Sequence, residues 1–159
     1  MDSSALQSER VEVADDIWAV NAFFEEKGWT DGLPIIPPSE ERVAQMLTAV
    51  QRDPQDVIGS VPPRWAPATV EKIAINAVMA GCEPAYFPVI VTAVKAVLEP
   101  SFNLYGVQAT THPVAPLIIV SGPLAAAIGM HSGSGLFGPG FRANATIGRA
   151  YGLLSQNGQ

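Results

Sequence analysis

Every carboxylate side chain of this chain lies in its first 99 residues, and that partition limits what the rest can become. Fifteen Asp and Glu end at Glu99, where seven of the nine basic residues also lie, so residues 1–99 carry −8. Residues 100–159 hold only Arg142 and Arg149, a charge of +2. In a chain that is 48% apolar and 15% charged, such a segment is expected in a core or against a partner rather than in water. Its glycines and hydroxyls, with no acid among them, suit the reception of an anion. The overall charge of −6 and the lack of a basic stripe argue against nucleic acid.

A length of 159 residues suits one domain with a real core. Residues 1–13 are polar and expected to be flexible, with 14–159 as a single domain. No run of about 18 apolar residues is present, so no membrane span is expected. The opening MDSSALQSER has no basic n-region followed by an apolar stretch. The single cysteine, Cys82, excludes an internal disulfide, and a cytoplasmic location is the expectation.

The first hundred residues read as helical. DIWAVNAFFEEKG predicts a helix from Asp15 or Asp16, with Ile17, Val20 and Phe24 on one face and Gly28 at its C-terminal end. WTDGLPIIPP is dense in turn-formers, with Asp31 capping the turn or orienting a site. Ser39 caps EERVAQMLTAV, whose inward residues are Val43, Met46, Leu47 and Val50. RDPQDVIGSVPPRWAP reads as loop with a short strand at Val57 and Ile58. Thr69 caps VEKIAINAVMA and Gly81 ends it. A further helix starts near Pro88 and stops at Pro100.

The pattern then changes. VQATT is β-prone, and APLIIVSG is a continuous apolar run between Pro116 and Gly122, as expected of a strand buried on both faces. PLAAAIG reads as a short helix, and Asn144 as the cap of a last helix whose Gly148 and Gly152 would admit a close neighbour. The order predicts an α/β or α+β fold, helices around a small central sheet. Two strands make a thin sheet, so a second polypeptide, or a further half, is expected to complete it.

Chemistry is expected near HSGSGLFGPGFRANATIG, residues 131–148. GSGLFG matches G-x-G-x-x-G, but no strand precedes it, Pro139 and Gly140 separate it from the helix, and no acid follows, so a dinucleotide is rejected. The amides of residues 138–146 would instead face an anion at the helix start, with Ser134, Gly138, Gly140, Asn144 and Thr146 lining the site and Arg142 adding a bidentate contact. Cys82 lies between two helices, where a nearby helix start would lower its pKa and Glu83 would raise it. His112, after Thr110 and Thr111 and before a proline, is placed for acid–base work; His131 is the weaker histidine. Cys82, His112 and His131 share no metal-ligand spacing, so neither a metal nor a cofactor is expected.

GWTDGLPIIPPSEERV, MAGCEP, NLYGVQATTHPVAPLIIVSGP and SGSGLFGPGFRANATIGRA together resemble a poorly characterised bacterial family encoded beside a small thioredoxin-like protein with a UGSC or CGSC motif. The likeness covers most of residues 28–150. Longer members continue past the last helix into a second half, and this chain resembles their N-terminal half. The resemblance implies thiol or selenol chemistry with the partner's thiol, and it strengthens Cys82 as a functional residue.

The expectation is therefore a subunit of a heteromeric enzyme acting on a small anionic or carbonyl-containing substrate. Lyase-type addition–elimination would use Cys82 as nucleophile, His112 as proton carrier and the glycine loop as oxyanion site. The alternative is a non-catalytic assembly subunit or a small-molecule binding module, which would account equally well for the low charge.

Overall fold

A computed structural model describes residues 6–157. Local chemistry explains most element boundaries. Helix α1 (Ile17–Glu26) begins where the Asp16 carboxylate accepts from the Ala19 amide at 3.0 Å. In α2 (Glu40–Leu47), Ser39 caps the start, and Glu40 and Glu41 face the positive end of the helix dipole. Strands β1 (Val57–Val61) and β2 (Ala66–Thr69) form an antiparallel hairpin with Val61 opposite Ala66. Thr69 ends the hairpin and caps α3 (Val70–Ala80), which Gly81 closes at φ +86°, where an L side chain would be strained. Short 3₁₀ turns precede α4 (Phe87–Val97) and α5 (Leu104–Ala109); α6 (Pro123–Ala127) and α7 (Arg142–Asn157) follow.

The fold is helices with a small antiparallel sheet, within the α/β or α+β class expected. Its centre is α3, where nine of eleven residues are buried. Ala74 and Ala77, fully buried, leave room for α7, which presents Ala143, Ile147, Ala150, Leu153 and Leu154 in its most extensive contact. The opposite sides of α3 are covered by Val43, Met46 and Leu47 of α2 and by Phe87, Ile90 and Val94 of α4. No single helix among the described residues is long and apolar enough to cross a membrane.

Four local expectations are corrected. VQATT is not extended: its first residues belong to α5, which Asn103 caps by accepting from the Gly106 amide at 3.3 Å. APLIIVSG forms no strand: the run has no assigned regular structure and is not buried on both faces, with Leu117 65% and Ile119 82% exposed. Asn144 does not cap α7, which starts at Arg142 and places Asn144 in its first turn. Gly148 and Gly152 admit no close neighbour within the chain, since a Cβ at either would meet nothing within 4 Å. Periodicity alone fails for the apolar run because a strand needs partners for its backbone, and none lies beside it.

The N-terminal segment is also anchored in part. Glu71, 2% exposed at the start of α3, accepts from the amides of Gln7 (3.1 Å) and Ser8 (2.9 Å) and from Gln55 Nε2 (2.7 Å). Leu6 packs against the core and Arg10 pairs with Glu40. Residues 6–10 of the segment expected to be flexible therefore make these contacts with α2 and α3. The expected flexibility of residues 1–5 concerns positions outside the described residues, as do residues 158–159 of the expected domain.

Burial alone would raise the Glu71 pKa, but the hydrogen bonds from Ser8, Gln55 and Gln7 outweigh it and hold the carboxyl below the ordinary 4.5. A depressed folded pKa means stabilisation that is complete above the unfolded value and lost as pH falls through the folded one. Glu71→Ala is expected to lower unfolding free energy at pH 7 by about 2–4 kcal/mol in urea titrations. The gap to the parent should narrow below about pH 4.5.

Candidate functional site

The glycine loop and the unpaired segment face each other across a cleft. Residues 116–122 form one wall, the loop between α6 and α7 another, and Asn144, Ala145 and Gly148 of α7 the floor, enclosing about 930 Å³. Most of the lining is apolar, including Ile118, Val120, Met130 and Phe137; Ser121, Ser132 and His131 supply the polar groups.

One residue organises the loop. The Asn144 side-chain oxygen accepts from the His131 amide at 2.9 Å, while its NH₂ donates to the carbonyls of His131 (2.9 Å) and Leu136 (3.3 Å). Helix α7 thus holds the loop in register by a closed set of bonds. The His131 ring stacks on Phe141 with centroids 3.7 Å apart, 11° from parallel. Its Nε2 lies 3.1 Å from the Ser134 carbonyl, which can only accept. Nε2 therefore carries the hydrogen, and in the neutral ring Nδ1 is left as an acceptor. A Cβ at Gly133 would sit 3.0 Å from His131 Cε1, so a side chain there would require the ring to shift by a few tenths of an ångström. Gly138 closes a turn by donating its amide to the Gly135 carbonyl at 2.7 Å, and Gly140, at φ +109°, leads the chain toward α7.

The structure separates the other expected site residues from this cleft. Arg142 donates through Nε and one terminal nitrogen to the Gly81 carbonyl (3.2 and 3.0 Å) and through the other to Glu83 (2.6 Å). It thus bonds the carbonyl end of α3 and Glu83, and it is not among the residues lining the cleft. Thr146 donates its hydroxyl to the Arg142 carbonyl within α7. Arg149 binds both Asp31 oxygens at 2.8 Å and also the carbonyls of Leu33 and Pro34. The two cations of the acid-free half are thus held by partners from the first half, one of them the Asp31 that also forms the local turn by accepting from Leu33.

Cys82 is buried, with its amide closing α3 on Ala77 and its thiol donating to the Thr146 carbonyl at 3.2 Å. Burial pushes the thiol up to about 11, against the lowering effects of Thr146, Arg142 and Arg149. The thiolate fraction at pH 7 is then about one in ten thousand. Proximity to a helix start is overridden because the sulfur faces the core. His112 is exposed in a turn where its amide donates to Thr110 Oγ1 (3.1 Å) and its carbonyl accepts from Val114 (2.8 Å); Thr111 beside it is exposed. The imidazole makes no hydrogen bond to a described residue. A nucleophile and its base must be in hydrogen-bond reach, and no such bond joins Cys82 to His112.

Of the expected residues, then, Ser134, Gly138 and Asn144 come together with His131. The histidine ranked second is the one built into the loop, and its signal was its position at the head of the glycines. Among the described residues no group of three or more His, Cys, Asp or Glu could hold a metal ion. No family model matches the chain, and neither a curated protein nor a solved structure matches it.

The Cys82 environment has a direct readout. In the folded protein at pH 8 the thiol is expected to react with a chromogenic disulfide reagent at least about 100-fold more slowly than after unfolding in guanidinium. Equal rates in both states would show that the sulfur is open to solvent.

Proposed function

We propose that this chain is a small-molecule-binding subunit, and that the cleft beside His131 receives a compact, mostly apolar molecule carrying a carbonyl group. The observation that carries the reading is the cleft itself, whose volume of about 930 Å³ and apolar walls suit a small organic ligand. The Ser121 and Ser132 hydroxyls, which line it, are the donors for the carbonyl oxygen. No Lys or Arg is among the residues lining the cleft, which favours an uncharged ligand over an anion.

A bond-cleaving enzyme subunit is the second reading, favoured by the tautomer of His131. With Nε2 held by Ser134, Nδ1 is the proton acceptor, in a residue that lines the cleft. A thiol for such chemistry would come from a partner polypeptide, as the resemblance to the bacterial family implies, since Cys82 is buried and protonated.

Gly148 offers a test that spares the fold. A side chain there meets open space on the cleft floor, and replacing a mid-helix glycine gains about 0.5–1 kcal/mol of helix stability. Screened by thermal shift and calorimetry against small ketones, amides and carboxylates, the parent protein is expected to bind uncharged carbonyl compounds. Gly148→Met should weaken that binding about tenfold or more with an unchanged or higher melting temperature. Binding that survives the substitution would move the site elsewhere, and selective binding of carboxylates would overturn the uncharged ligand.

A further inference from the structure

A second pocket, of about 280 Å³, forms where α3 meets the β1–β2 hairpin, α7 and Trp29. It shares no lining residue with the cleft beside His131. Lys72, Ile75, Asn76 and Met79, at i, i+3, i+4 and i+7, put one face of α3 along it. Val61 and Pro67 of the hairpin, with Trp29 and Leu154, add apolar lining.

Two side-chain amides tie these walls together. Asn76, 6% exposed, donates to the Lys72 carbonyl at 2.9 Å, and its Oδ1 accepts from Asn157 Nδ2 at 2.8 Å. The same Nδ2 donates to the Trp29 carbonyl at 3.3 Å. The pocket is therefore formed before any ligand arrives, as small-molecule sites usually are. Asn157 Nδ2 has spent both hydrogens, and its Oδ1 is a buried acceptor with no donor among the described residues.

Lys72 is the polar group left over. Its side chain is exposed and makes no ion pair with a described residue. The adjacent Glu71 is engaged elsewhere, with Gln7, Ser8 and Gln55. Lys72 also lies in the first turn of α3, where the helix dipole disfavours a cation, so the helix gains nothing from its charge. The cleft beside His131 has no Lys or Arg in its lining, whereas this pocket has an ammonium group against apolar walls.

We propose that this pocket binds a small carboxylate with an apolar body, its head on the Lys72 ammonium and its tail along α3 toward Met79. The cation selects an anion and the lining selects the body. The unpartnered Asn157 Oδ1 repels a carboxylate, which keeps the head at the Lys72 end. Between Lys72 and Met79 a helix rises about 10 Å, a length that suits a medium-chain acid such as octanoate. The volume, at the small end for ligand pockets, leaves no room for a large cofactor. This inference does not depend on what the cleft beside His131 binds.

Calorimetry with octanoate and its uncharged amide tests the site, using the full chain with Gly148→Met so that the other cleft is filled. Octanoate is expected to bind about tenfold more tightly than octanamide. Adding Lys72→Gln should abolish that preference. The melting temperature should stay equal or rise, because the change removes a cation from a helix start. Equal affinity for the acid and the amide, or a preference that survives Lys72→Gln, would overturn the site. So would octanoate binding that the parent shows and Gly148→Met loses, which belongs to the cleft beside His131, or no octanoate binding at millimolar concentration.

Discussion

The packing of α7 on α3 is the constraint on which the remaining structure depends, and two arginines set its position. Apolar contact brings Ile147, Ala150 and Leu153 against the small residues of α3, but such contact is tolerant of sliding. Arg142 removes that freedom at one point by binding the carbonyl of Gly81, which closes α3, together with Glu83, and Arg149 at another by gripping Asp31 with two bonds. Charge-assisted, bidentate bonds of this kind are directional, so they specify register where burial supplies most of the energy. The Arg149–Asp31 pair spans 118 residues of sequence and is partly buried, which limits screening.

Much of the site's character follows from that arrangement. With α7 held there, Asn144 reaches the His131 backbone and organises the loop, while the Thr146 carbonyl meets the Cys82 thiol, which burial keeps protonated. The same bonds that position the helix consume the cations expected at an anion site. What is left beside the loop is a mostly apolar cleft whose polar lining includes Ser121, Ser132, His131 and Asn144, and an uncharged carbonyl compound is the ligand proposed for it.

The unpaired segment is the other consequence. Its inward residues Ile118 and Val120 pack on the core, but its backbone makes no hydrogen bond to a described residue.

Local chemistry written in the sequence determined the starts and stops of most helices. Asp16, Ser39 and Thr69 cap helices because their side chains satisfy amides a few residues away, and Gly81 ends one because only glycine accepts that backbone angle cheaply. These effects act within one turn and need no knowledge of the rest of the chain. The apolar run at residues 117–120 and the glycine loop were equally visible as patterns. Tertiary structure alone decided which partners the long side chains found: that Arg142 and Arg149 turn to Gly81, Glu83 and Asp31, that Cys82 faces the core, and that His131 rather than His112 enters the site. The reason is range, since a guanidinium or a thiol takes its character from whatever lies within a few ångströms, and those neighbours here come from positions about 60 to 120 residues away.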